Sequence, residues 1–392
     1  MMLNKFRFLA YLCLLSILTA CAGLAARGRV GGQDIDTRVD SDVARYFLTN
    51  YLAGKQSDAI LDRRIDDLYR HSHDGLPDGR ELKRLSDEFS IDFAALYLAD
   101  RIARMPLNRR FGDALNGVRT YAGKAVAEGR VKLPAAATEY EWMFVPGYLY
   151  KRYPITGADF AAPRAALQRV GLKCYLLETV EDGAVESNAR LVADIIRARA
   201  STGRRLILLS ASKSGPEVAM ALTRLGPRET EHVAAWINIV GALKGTPLAD
   251  RAPLPEVENE IGQVDAAAVE SLTTERSRRR FDSFRVPPHI LVVNYFGIPL
   301  TGGLSSWSSP GFAQLKKFGP NDGLLLLADM IFPGAVTLAM LGRDHFLLDE
   351  RIDTTAVALA LTVMGWLENG EPASLKAGFK TPGAARNNGN AR

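Results

Sequence analysis

The stretch LILLSASKSGPEVAMAL, residues 206–222, decides the fold. An apolar run of strand character feeds three serines at alternate positions, Ser210, Ser212 and Ser214, and a helical pattern of small and apolar residues follows. A chain turning this sharply from strand to helix crowds the residues two before and two after the turning position, so both must be small. For Ser212 these neighbours are Ser210 and Ser214, with Gly215 next. For Ser214 the downstream neighbour is Pro216, and for Ser210 the upstream one is Leu208, inside the strand. Ser212 therefore sits at the turn. Pro216 then falls in the first helical turn, where a missing N–H costs little. The helix then starts just beyond Ser212 and aims its positive end at the site where an oxyanion would form. A serine that merely caps the helix would use the same letters, so the rest of the chain has to choose between nucleophile and cap.

Working outward, the runs EWMFVPG, KCYLLET, RLILLSAS, VAAWINIVG, HILVVNYFG and AVTLAML read as buried strands. Helical stretches lie between several of them, among them DFAAPRAALQRVG and ESNARLVADIIRARAS. This alternation predicts an α/β domain over 136–370, a mostly parallel sheet with helices on both faces. Ligand chemistry in such sheets gathers at the carboxyl ends of the strands. Residues 248–286 separate two strands and contain VDAAAVESLTTERSRRRF, an insertion with helical character. Before the sheet, 41–135 predicts a small helical N-terminal region without visible chemistry. Residues 21–40, rich in Gly and Arg, read as a flexible tether, and 371–392 as a structureless tail.

A serine nucleophile needs a general base. Of five histidines, His71 and His73 lie in a turn-rich loop ahead of the sheet, and His232 and His289 precede strands at the amino edge. His345 follows the strand AVTLAML, at the carboxyl end. The base needs a carboxylate to fix its tautomer. Between His289 and His345 the acids are Asp322, Asp329 and Asp344. Asp344 adjoins the histidine and points elsewhere, Asp329 lies in an apolar segment of helical look, and Asp322 sits in a Pro-Asn-Asp-Gly turn able to present a carboxylate. Asp322 is favoured.

The order Ser212, Asp322, His345 is that of the α/β-hydrolases. From about residue 140 to 368 the chain resembles α/β-hydrolase lipases and esterases of the bacterial triacylglycerol-lipase type. VESNARLVADI with LILLSASKSG is similar to their approach to the nucleophile, INIVGALKGTPLAD to their next strand and loop, and NDGLL with DHF to their acid and histidine segments. The pattern departs in having S-x-S-x-S where G-x-S-x-G is common. The resemblance implies an acyl-enzyme on Ser212, with His345 as base and Asp322 as its orienter. It also implies an oxyanion hole from the backbone N–H groups of Lys213 and Tyr148, the latter in FVPGYLY, where Pro146-Gly147 replaces the usual His-Gly. The 248–286 insertion would form a lid, and Trp307 would line the pocket.

The ends and the charge bound the rest. Lys5 and Arg7 precede the short apolar stretch FLAYLCLLSIL, and Leu18-Thr19-Ala20-Cys21 resembles a bacterial lipobox. That implies a signal peptide over 1–20, lipidation of Cys21, and a bacterial envelope location, the outer membrane being favoured by Ala22. Loss of 1–20 removes Lys5 and Arg7 and takes the formal charge from +5 to +3, too mild to argue for nucleic acid. The basic run Arg276 to Arg280 reads as a solvated helix face. Of three cysteines only Cys174 then remains as a free thiol, buried and inert. No metal or organic cofactor is expected. The expected activity is hydrolysis of a carboxylic ester or lipid-like ester; the alternatives are an amidase or thioesterase on the same residues, or a binding lipoprotein on an inactive hydrolase fold.

Overall fold

The computed structural model describes residues 23–71, 75–251 and 265–369. It opens with an antiparallel hairpin, β1 (Leu24–Val30) and β2 (Gln33–Val39), joined at Gly31 and Gly32, which take φ of 57° and 79°. Alternate residues Ala26, Val30, Ile35 and Val39 are buried. The expected tether over 21–40 is thus corrected across 24–39. Its alternating pattern about a Gly-Gly pair is a two-residue hairpin signal, masked by a composition that reads as polar linker.

Five helices follow: α1 (Asp42–Tyr46), continued by a wider turn over Phe47–Tyr51, α2 (Ala59–Arg70), α3 (Gly79–Glu88), α4 (Ile91–Arg104) and α5 (Pro106–Ala127). Ser41, Asp58, Asp78 and Ser90 each cap a helix by accepting backbone N–H groups of its first turn. Pro106 starts α5, where its fixed φ suits the first turn.

The sheet comprises β3 (Tyr140–Val145), β4 (Lys173–Leu176), β5 (Arg205–Ala211), β6 (Val233–Ile239), β7 (Leu291–Ile298) and β8 (Val336–Leu341). Its order is β4-β3-β5-β6-β7-β8, and every neighbouring pair is parallel. The connecting helices are α6 (Ala161–Arg169), α7 (Val185–Arg199), α8 (Ser214–Glu229), α9 (Ala266–Glu270), α10 (Thr274–Asp282), α11 (Ser309–Leu315) and α12 (Ile352–Asn369). Residues of α5, α6 and α12 pack with Trp142, Phe144, Ile207 and Ile237 on one face of the sheet. Residues of α7 and α8 pack with Met143, Leu208 and Trp236 on the other. Burial on both faces is why the strands read as unbroken apolar runs. From β3 the chain goes first to β4 on one side and then to β5 on the other. That reversal opens a crevice at the carboxyl ends of β3 and β5.

The N-terminal elements share this core. The Phe111 ring of α5 meets Trp366 of α12 with centroids 5.0 Å apart. β8 is an edge strand, and edge strands left bare pair with other chains. Here Asn108 Oδ1 accepts the Thr337 N–H (2.8 Å), and the Gln33 amide donates to the Ala339 carbonyl (2.7 Å) and accepts the Leu341 N–H (3.3 Å). Among the described residues no helix is long and apolar enough to cross a membrane. The signal segment, Cys21, His73 and the tail lie outside the described residues.

Candidate active site

The turn after β5 holds Ser212 at φ 54°, a left-handed conformation that a non-glycine residue keeps only under constraint. The constraint is visible. The Ser212 N–H donates to the Ile239 carbonyl (3.0 Å), while its own carbonyl accepts from Gly215 and Ala242 (3.0 Å each). The flanking serines have other work. Ser210 Oγ accepts the Trp236 indole N–H (2.8 Å). Ser214 Oγ accepts the Ala211 N–H (2.7 Å) and donates to the Val145 carbonyl (2.8 Å). Ser212 Oγ alone of the three faces His345, whose Nε2 is 3.1 Å away.

His345 Nδ1 lies 2.7 Å from Asp322 Oδ2. The Asp322 side chain is fully buried, and its other oxygen accepts the N–H groups of Leu324 (2.9 Å) and Leu325 (2.7 Å). The His345 N–H also donates to the Asp322 carbonyl (2.9 Å), so main chain and side chain fix the pair together. A carboxylate at Nδ1 places the proton there and leaves Nε2 as the acceptor facing Ser212. Asp344 turns away, accepting from Ser305 (2.8 Å) and Phe346 (3.0 Å). Asp329 lies on a 3-10 turn (Leu327–Met330) rather than a helix, and faces Lys244 and Arg278; burial raises its carboxyl above the usual range. His232 and His289 face the carbonyls of Ile196 and Thr230 (2.9 Å each) at the amino ends of β6 and β7. His71 is exposed and faces the Asp67 carbonyl.

Beyond β3, Gly147 donates to the Ala158 carbonyl (2.9 Å), and a Cβ built on it would stand 3.2 Å from the Ala211 carbonyl. Glycine lets this loop press against the turn that carries Ser212. Leu149 donates to the Glu181 carbonyl (3.2 Å). Among the described residues the N–H groups of Tyr148 and Lys213 donate to no backbone carbonyl, and both residues line the cavity at Ser212.

The sequence did not disclose what holds Lys213. Its buried ammonium pairs with Glu217, one turn along α8, and Glu217 also accepts from Asn188 of α7 (2.9 Å). Burial pushes the Glu217 carboxyl above its ordinary range in spite of Lys213. Lys and Glu four apart in an otherwise small-residue helix start was the available signal.

The cavity measures about 1450 Å³. Trp142, Phe144, Phe160, Leu209, Ile237 and Leu359 form one apolar wall between sheet and helices. Leu248, Val269 and Leu272, from the described parts of 248–286, form another; the middle of that segment, 252–264, lies outside the described residues. Trp307 is 43% exposed at the cavity and meets Phe346 edge-on at 5.3 Å. The basic run on α10 is not simply solvated: Arg276 and Arg280 both bind Glu186 (3.1 and 2.8 Å), and Arg280 is buried. Burial pushes the Cys174 thiol up to about 12. Among the described residues no three His, Cys, Asp or Glu side chains converge as a metal site.

A metagenomic carboxyl esterase of known structure is similar to this chain at 20% identity and a TM-score of 0.50, over 61% of this chain and 78% of that one. A lipase of Bacillus licheniformis, in its mature form, is similar at 22% identity and a TM-score of 0.48, over 60% of this chain and 93% of that one. No protein-family profile matches the chain, and no curated protein sequence matches it. The fold is that of the α/β-hydrolases.

Proposed function

We propose that the protein is a serine hydrolase of carboxylic esters that works through an acyl-enzyme on Ser212. One observation carries the reading: an unbroken chain of contacts from Ser212 Oγ through His345 to the buried Asp322, opening on an apolar cavity. His345 Nε2 takes the serine proton as Oγ attacks the ester carbonyl and returns it to the departing alcohol. Asp322 holds the ring and stabilises the imidazolium. The free N–H groups of Tyr148 and Lys213 hold the oxyanion, each worth roughly a hundredfold or more in kcat. Water, deprotonated by His345, then releases the acid. The aromatic and aliphatic walls suit an acyl chain. An abandoned site would have no physical need for all three side chains, which weighs against a purely binding role. The LTAC sequence supports attachment to a bacterial membrane through lipidated Cys21; loss of palmitate incorporation in Cys21→Ala tests that part.

The test of the activity is covalent labelling by a fluorophosphonate together with turnover of short and medium-chain esters. Wild type and Ser210→Ala label and turn over, whereas Ser212→Ala and His345→Ala do neither. A folded wild type that stays unlabelled, with detergent present, overturns the reading.

A further inference from the structure

The hairpin leaves little slack at the start of the fold. β1 begins at Leu24, and Gly23 before it is already seated. A Cβ built on Gly23 would stand 3.1 Å from Thr301 Cγ2, and its carbonyl accepts the Arg38 Nε–H (2.7 Å). Asp92 Oδ2 ties the same place together, accepting the N–H groups of Asp40 (2.8 Å) and Thr301 (3.1 Å). Thr301 lies near the start of the loop after β7, and the same loop carries Trp307. Cys21 stands two positions before Gly23 in the sequence, a reach of at most about 7 Å.

The loops that follow the strands of a parallel sheet share one edge, and Ser212 lies on that edge after β5. Three large apolar side chains stand out into solvent there: Ile155 after β3, Trp307 after β7 and Leu348 after β8, which are 73%, 43% and 51% exposed. All three border the cavity at Ser212. Of the four tryptophans in the chain, the other three are buried. Single exposed apolar residues need no partner, but several around the mouth of one apolar cavity mark a contact surface. An indole, apolar with one N–H, suits the boundary between lipid headgroups and acyl chains.

We propose that this edge rests on the lipid bilayer that carries the Cys21 anchor. Ile155, Trp307 and Leu348 enter its surface, and Ser212 draws its ester substrate directly from that membrane. The proposal rests on the readings of Cys21 as lipidated and of Ser212 as the nucleophile of an ester hydrolase. The anchor supplies attachment, and the apolar rim supplies orientation. A cysteine carrying two acyl chains holds to a membrane without help from the protein surface. A long flexible tether would then let the body turn any face to the lipid. The packed hairpin removes that freedom, because it keeps the anchor within two residues of a position seated on Thr301. An ester diffusing in the plane of the membrane reaches the cavity without crossing water, which suits a substrate with long acyl chains.

The experiment uses full-length Ser212→Ala protein purified with its lipid, its mass reporting the modification of Cys21. It is placed in vesicles of phosphatidylethanolamine and phosphatidylglycerol. Tryptophan emission shifts to the blue and is quenched by lipids brominated on the acyl chain, and Trp307→Phe removes the quenchable part. Emission that ignores brominated lipid overturns the proposal. Self-association that hides Trp307 gives the rim to a second copy, and likewise overturns it. With Ser212 in place, turnover of oleoylglycerol held in vesicles is compared with that of p-nitrophenyl butyrate in solution. The double variant Ile155→Ser, Leu348→Ser lowers that ratio about tenfold, the scale of two apolar side chains partly leaving lipid. Leu191→Ser, exposed in the middle of α7 and away from this edge, leaves it level. A ratio unmoved by the double variant overturns the proposal. Quenching of Trp307 in a protein whose wild type hydrolyses no ester leaves the membrane contact standing and removes the hydrolase reading. A Cys21 without lipid removes the anchor, and the proposal with it.

Discussion

The two halves of the chain are built by different means. From Tyr140 onward the structure rests on short apolar runs that bury both faces of a parallel sheet. Before it, the hairpin and helices bury a second apolar cluster against β7 and β8, and single polar residues fix how they meet the sheet: Gln33 and Asn108 on the outer edge of β8, and Asp92 between β2 and the loop after β7. The apolar pattern of the sheet half is local and repeats along the chain. The polar contacts of the N-terminal half reach partners more than 200 residues away in sequence. The sheet half holds the candidate site, and the N-terminal half closes its edge.

On that division, the proposed catalytic side chains can be removed without disturbing the fold. Ser212→Ala should lower kcat for an ester about 10³- to 10⁶-fold, and Asp322→Asn about 10⁴-fold. Melting temperatures should stay level or, for Ser212→Ala, rise, because a functional site is rarely placed for stability. Steady-state kinetics beside thermal melts checks both. A drop in stability matching the loss of activity would mean that the site is part of the scaffold.

The next largest effect tests where the sheet grips its site. Gly297 lies in β7, and a Cβ there would stand 2.2 Å from the Arg343 carbonyl and 2.8 Å from that of Asp344. Both are backbone atoms of the segment leading to His345. Gly297→Ala must push that segment outward, at a cost of about 1–3 kcal/mol in stability. Misplacing His345 by an ångström should lower kcat/KM about a hundredfold. Urea unfolding and esterase kinetics read the two separately.

Much of the site was legible for a simple reason. Few residues could do the chemistry: five histidines, and three acids in the right interval. The crowding rule at a tight turn singled out Ser212 from its neighbours. The strands were legible because burial on both faces leaves no alternation to misread. The Lys213–Glu217–Asn188 cluster was not, since it depends on α7 and α8 packing side by side on one face of the sheet. The hairpin was misread although Gly31-Gly32 announced it, because its charged residues outweighed its alternation in a reading by composition. Asn108 belongs to the illegible class. Asn108→Ala leaves the Thr337 N–H without its acceptor on a buried strand, which should cost about 1–3 kcal/mol with kcat barely changed.

Asp92 links the two halves through pH. Its Oδ2 accepts from Asp40 (2.8 Å) and Thr301 (3.1 Å), and its Oδ1 is buried without a partner. Burial, then the neighbouring Asp40, raises its carboxyl to about 7. A folded-state value above the unfolded one means that the protonated form is the stabilising form. Its contribution is complete below the ordinary aspartate range and is lost as pH rises toward and through 7. Asp92→Asn keeps an acceptor oxygen and removes the titration. The variant should therefore melt above wild type at pH 8, by an amount on the order of 1 kcal/mol, and the gap should close near pH 4. An Asp92→Asn profile parallel to wild type would place the pH dependence elsewhere.

The smallest effect separates what announces the hairpin from what holds it. Arg29 and Asp34 face each other across the turn at 2.7 Å, and Arg27 and Asp36 pair one repeat further on at 2.8 Å. This charge pattern fixes the register to the eye, yet both pairs are largely exposed. Exposed pairs are screened by salt and spend side-chain entropy to form. Arg29→Ser should leave the melting temperature unchanged at physiological ionic strength. The hairpin is anchored instead by Val30, Ile35 and Val39 in the core and by Gln33 on β8. A clear destabilisation in Arg29→Ser that disappears with added salt would give the cross-strand charges a share in closing the sheet edge, and the N-terminal half would then depend on its surface as well as on its buried polar contacts.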